Sequence, residues 1–344
     1  MKKLFALLLA VAMIFSFATV ALAVTADAET ITITKWYENP NAAVSPAETL
    51  NFTIVSQSVT DAAVGINVEN MPVPTVASVA FSEGDAGKVV VEGASADYKC
   101  KKDIVVTLPT YTSVGIYTYT INETAGTMAG VTYYTDDITL VVTVIQDTDG
   151  KVRVAAVHTE DNIGTDAKND TFKNTYEAGK LAISKTVTGN LGDQEKEFDV
   201  TVTFTAPEGK TVGAPITYVE EGETKTIEGG WNTSKTVTIQ LKHEETITFQ
   251  NIPYGVSYEV YEANYSADGY DAPIYKIGSI TIQDYDFVLQ GAVMDSAEES
   301  VAITNNKETA VDTGITLDAM PYVLILAVAV CGLGLVMTKK RYQD

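Results

Sequence analysis

Lysine, glutamate and asparagine recur in that order on one face of strand-like stretches, once in each half of the 344-residue chain. Side chains alternate sides along a β-strand, so residues of one parity share a face. In ITITKWY, Lys35 lines up with Ile31, Ile33 and Tyr37; in IYTYTINE, Glu123 lines up with Tyr117, Tyr119 and Ile121; in FKNTY, Asn174 lines up with Phe172 and Tyr176. The second half repeats the pattern: Lys185 with Leu181, Ile183 and Val187, Glu262 with Val256, Tyr258 and Val260, and Asn305 with Val301 and Ile303. Any one of the six, taken alone, is explained by a strand end whose polar tip reaches water. Two triples in the same order are not.

Burying an unpaired ammonium or carboxylate costs several kcal/mol, so the placement needs a compensating gain. A covalent bond would supply it. An amine attacks a carboxamide only when neutral, and desolvation depresses the pKa of a lysine. The same apolar setting raises the pKa of a glutamate, which can then stay protonated, hydrogen-bond the asparagine oxygen and shuttle protons while ammonia leaves. Folding provides the proximity. The expected products are two isopeptides, Lys35 to Asn174 and Lys185 to Asn305, formed with Glu123 and Glu262 as catalytic carboxyls and with no cofactor or metal.

The elements that must position these residues are strands. From Ile31 to Asn305 the text is period-two alternation rich in Thr, Val, Ile and Tyr, broken by turn residues as in DTDGK at 147–151. Short strands with regular turns predict all-β architecture, two tandem immunoglobulin-like β-sandwiches. A joint near Ala178-Gly179 divides the region into a domain over 29–177 and a second over 178–307. Asp147 and Asp149 fit a hairpin turn better than a calcium loop.

Composition narrows the function further. Between residues 24 and 313 there are 18 Lys and Arg against 43 Asp and Glu, a net charge of −25. Such a surface repels nucleic acid. His158 and His243 are the only histidines and sit in ordinary strand or hairpin contexts, with no phosphate loop or nucleophile elbow; an exported hydrolase is therefore disfavoured. Cys331 lies in an apolar run, which leaves Cys100 without a partner for an internal disulfide.

Both ends read as targeting segments. Lys2 and Lys3 precede an apolar run closed by Ala21-Leu22-Ala23, a secretory signal peptide over 1–23. Residues 308–344 form a linker and a sorting region, in which Pro321 to Thr338 is an 18-residue, almost uncharged run followed by Lys339-Lys340-Arg341. That length suffices for a transient membrane anchor with a cytoplasmic basic tail.

With these motifs in hand, the chain resembles the sortase-assembled shaft pilins of Gram-positive bacteria, closest to the streptococcal type. ITITKWY, GIYTYTINE, GVTYY and FKNTY are similar to a pilin isopeptide-linkage domain; LAISKTVTGN, FQNIPYGVSYEVYE and AITNNK are similar to a CnaB-type domain. The resemblance assigns the same two triads as the parity argument. It also implies a subunit secreted, polymerised head to tail with copies of itself by a sortase, anchored to cell-wall peptidoglycan and topped by a tip adhesin. Ala310-Val311-Asp312-Thr313-Gly314 stands at the sorting motif, with Asp312 where family members carry proline, and cleavage would fall between Thr313 and Gly314. The acceptor amine implied by the family pattern is Lys168, with Lys173 and Lys180 as fallbacks. A monomeric wall-anchored adhesin on the same scaffold is the alternative.

Overall fold

The computed structural model describes residues 29–39, 44–82, 85, 88–89, 97–161 and 167–310. The segment over 1–23 and residues 311–344, including Thr313 and Gly314, lie outside the described residues. No α-helix occurs among the described residues, and none is long and apolar enough to cross a membrane.

The described strands form two sandwiches in sequence. In the first, one sheet places Thr30–Asn39 between Asp97–Thr107 and Thr171–Tyr176; the facing sheet runs Val152–Asp161, Ile138–Gln146, Gly115–Thr124, Glu48–Thr60 and Val79–Phe81. In the second, Ala178–Thr188 lies between Thr246–Pro253 and Glu298–Asn306, facing a sheet of Ser234–Leu241, Phe198–Thr205, Ser257–Glu262 and Leu289–Val293. Each sandwich therefore sets its first and last long strands side by side. Both pairs are parallel, in an otherwise largely antiparallel fold.

Period-two alternation explains the cores. Gly115–Thr124 alternates buried and half-buried along its length, with Tyr117, Tyr119 and Ile121 inward. Phe198–Thr205 alternates likewise, turning Val200, Val202 and Phe204 inward. Its outward threonines meet hydroxyls of the neighbouring strand, Thr203 with Thr236 and Thr205 with Ser234, both at 2.9 Å. Such cross-strand pairs support a solvent-facing surface.

The two sandwiches also meet through backbone. The Ala129 N–H donates to Thr211 O at 2.8 Å and the Thr211 N–H to Thr127 O at 2.9 Å, a short parallel bridge. The Ala47 N–H donates to Gly213 O at 3.2 Å, and Ala214 is buried with the first core. Gly130 ends the bridging segment with φ of 73°, and a Cβ there would lie 2.5 Å from Glu177 O. Left-handed backbone and close approach both require glycine.

Candidate functional site

The parallel pairing fixes where lysine meets asparagine. Lys35 is level with Phe172 and Lys185 with Ile303, so in both sandwiches the asparagine is two residues further along the neighbouring strand, on the same face. The glutamates descend from the opposite sheets, on Gly115–Thr124 and Ser257–Glu262. All six side chains are enclosed, with residue exposures between 0 and 3%. Long polar side chains are rarely buried to this extent unless paired.

In the first sandwich, Lys35 Nζ donates to Glu123 Oε2 at 2.5 Å, and Asn174 Nδ2 donates to Glu123 Oε1 at 2.6 Å. Asn174 Oδ1 accepts the backbone N–H of Tyr134 at 2.9 Å. In the second, Lys185 Nζ donates to Glu262 Oε2 and, at 2.5 Å, to Asn305 Oδ1, while Asn305 Nδ2 donates to Glu262 Oε1 at 2.6 Å. One carboxyl thus bridges amine and carboxamide in each core. The expectation that the glutamate hydrogen-bonds the asparagine oxygen differs from this geometry: the carboxylate accepts from the nitrogen, the atom that would leave as ammonia.

Burial sets the electrostatics. Desolvation pushes the Lys35 amine down to about 8 against the opposing pull of Glu123 and Glu48. Desolvation likewise pushes Lys185 down to about 8, against Glu262, and pushes the Glu262 carboxyl up. In the second sandwich these shifts favour an uncharged amine beside a protonated carboxyl, so a proton can pass from Nζ of Lys185 to Glu262 over one short contact.

Several neighbours lie outside the parity argument. Glu48, at the start of its strand, accepts the hydroxyls of Tyr37 and, at 2.8 Å, Tyr133. Desolvation pushes its carboxyl up to about 7. ETLNFTIV held the signal, because Glu48 has the parity of the buried Leu50 and Phe52. In the second sandwich the Phe198 ring centroid lies 4.0 Å from Lys185 Nζ, and the Tyr275 hydroxyl accepts the Glu262 backbone N–H at 2.9 Å. His243 Nδ1 accepts the Val187 N–H at 3.0 Å, two residues beyond Lys185, and so works as a backbone cap. Asp147 Oδ1 accepts the N–H groups of Asp149 and Lys151, a turn use of its carboxylate.

The acceptor candidates are surface lysines. The Lys168 side chain is 61% exposed and pairs with Asp170 at 3.0 Å; Lys173 pairs with Glu38 at 2.9 Å; Lys180 is exposed.

Comparison with known proteins places this geometry in context. Residues 31–177 match the family described as Spy0128-like isopeptide containing domain, and residues 179–308 match a domain family of unknown function. A pilin of Streptococcus pyogenes serotype M1 is 26% identical over 248 residues, covering 67% of this chain and 69% of that protein. The pilus tip adhesin Cpa of Streptococcus pyogenes is 29% identical over 144 residues, 40% of this chain but 18% of the adhesin. The fold is that of the major pilin T3.2 from Streptococcus pyogenes, with a TM-score of 0.52 at 21% identity, covering 81% of this chain and 98% of that one.

Proposed function

We propose that this chain, which resembles streptococcal pilins over about two thirds of its length, is the repeating shaft subunit of a covalent pilus, stabilised by one self-formed Lys–Asn isopeptide per sandwich. The observation that carries the reading is the pair of enclosed Lys–Glu–Asn contacts, each with lysine and asparagine on the first and last strands of a sandwich and glutamate on the facing sheet. Sortase would cut between Thr313 and Gly314 and pass Thr313 to an amine of the next subunit, for which Lys168 has the exposure.

The chemistry balances within each site. Nζ, as ammonium, gives one proton to the glutamate carboxylate and attacks Cγ of the asparagine. The carbonyl electron pair moves onto Oδ1. The carboxyl returns its proton to Nδ2, the Oδ1 pair re-forms the carbonyl as the Cγ–Nδ2 bond breaks, and ammonia departs as Nζ releases a second proton to the carboxylate. That last proton stays on the carboxyl or leaves with ammonia as ammonium. Enclosure on preorganised strands replaces a large effective concentration, and proton shuttling contributes about 10²–10⁴ in rate.

Intact mass tests the reading directly: the folded chain should be lighter by about 17 Da, one ammonia, for each bond. A mass equal to that of the plain sequence would overturn it. SDS-resistant ladders on the producing cell support the shaft subunit, and a single wall-released band the monomeric adhesin. Lys168→Ala should collapse that ladder to monomer; an unchanged ladder removes Lys168 as acceptor.

The reactive form carries one proton on each Lys–Glu pair, and the titration belongs to the pair. Bond formation should therefore lose rate as pH rises through about 8, where the last proton leaves. Refolding into buffers on either side of that value, with acid quench and mass detection, measures it. A rate that keeps climbing through pH 8 would mean that a free amine suffices and the carboxyl supplies no acid.

A further inference from the structure

The two sites differ at the atom that must carry negative charge. In the second sandwich the donor on Asn305 Oδ1 is Lys185 Nζ, the nucleophile itself. In the first, Asn174 Oδ1 is held by the Tyr134 N–H, a donor that takes no part in bond making. We propose that the Thr127–Tyr134 segment is a positioning device for the first crosslink, in which the Tyr134 N–H receives the developing oxyanion and the docked second sandwich holds that N–H in place. The inference rests on the isopeptide reading above.

Hydrogen bonds to both sandwiches tie the segment down. The Tyr133 hydroxyl donates to the half-buried Glu48 Oε2 at 2.8 Å and accepts the Met128 N–H at 2.9 Å, which ties Met128 and Tyr133 together beside that carboxyl. Glu48 is held from the other side by Tyr37, the residue two beyond Lys35 on the same face. Thr127 and Ala129 then pair with Thr211 of the second sandwich. Gly126 completes the fit, since a Cβ there would lie 2.5 Å from the Tyr133 hydroxyl and 2.6 Å from Glu48 Oε2. A fixed donor aimed at a developing oxyanion contributes about 10²–10³ in rate where it has been removed from enzymes. A docking contact that sets such a donor would make the first bond depend on the second sandwich.

Two variants separate this from a role in folding alone. Thr211→Pro deletes the N–H that Thr127 accepts and lies in the second sandwich, outside both triads. Tyr133→Phe deletes the hydroxyl clamp. The whole chain, held in urea so that no bond has formed, is diluted into native buffer. Folding is followed by fluorescence of Trp36 and Trp231, one in each sandwich. Each crosslinked peptide is followed by mass in the same samples. The expected result is a Lys35–Asn174 crosslink slowed about tenfold or more, with the tryptophan signals and the Lys185–Asn305 crosslink at wild-type rates. A first bond at wild-type rate in both variants overturns the proposal. So does a slowing that simply follows the Trp36 signal in both, because the contact would then be structural only. A wild-type chain that never loses ammonia fails the isopeptide reading instead.

Discussion

Replacing Asn174 or Asn305 with alanine should lower the unfolding temperature of the affected sandwich by roughly 10–20 °C while leaving the other transition in place. The proposed crosslinks would close loops from residue 35 to 174 and from 185 to 305. By the loop-entropy relation for disulfides, each would remove about 5 kcal/mol of freedom from the unfolded chain. Asparagine is the better partner to replace. Its loss leaves Lys35 beside Glu123, or Lys185 beside Glu262, still paired, whereas removing the lysine strands a buried carboxylate. The two strands joined are parallel neighbours, so tension entering at the start of the first and leaving at the end of the last shears their hydrogen bonds. A bond between them would carry that load and leave the chain it encloses unstressed. Calorimetry with both transitions resolved measures the effect; shifts of only a degree or two in both variants would mean that no covalent tie had been lost.

What could be read in the letters was the part that obeys parity. Lys35, Glu123 and Asn174 share faces with Tyr37, Ile121 and Phe172 because a strand has a period of two, and the neighbours declare which face is buried. Glu48 obeys the same rule, but it opens its strand, where a polar residue looks like an ordinary boundary. The Tyr134 N–H could not be read at all, since every residue other than proline carries one and only the fold aims it. The pairing of Thr127 and Ala129 with Thr211 is equally silent: it joins small and polar residues far apart in sequence through backbone alone. The all-β class lay in local alternation, whereas the contact between the sandwiches depends on tertiary approach.

The repeated triad also shows how much of each site is independent of its surroundings. Both carboxyls bridge amine and carboxamide in the same way, yet one amine lies over the Phe198 ring and the other near a second acid, Glu48. A cation held over an aromatic face is stabilised as a cation, as is an ammonium near a carboxylate. Each environment therefore opposes part of the desolvation that frees the amine, and the bridging glutamate is the element common to both.

Glu123→Gln and Glu262→Gln should each slow one bond by about 10²–10⁴ and spare the other, leaving the chain one ammonia heavier, about 17 Da, when the wild-type chain has closed both. Glutamine keeps the length of the side chain and can still accept from the asparagine Nδ2, but it cannot take a proton from Nζ and return it to the leaving nitrogen. Alanine at the same position removes the shuttle and also leaves a buried ammonium without its partner, so it should cost stability as well as rate. The comparison separates chemistry from packing: the glutamine variants should fold and remain uncrosslinked, with the untouched sandwich as an internal control in the same mass spectrum. Should Glu123→Gln close its bond at the wild-type rate, the carboxyl would be a spacer that aligns the reactants, and proximity alone would account for the reaction.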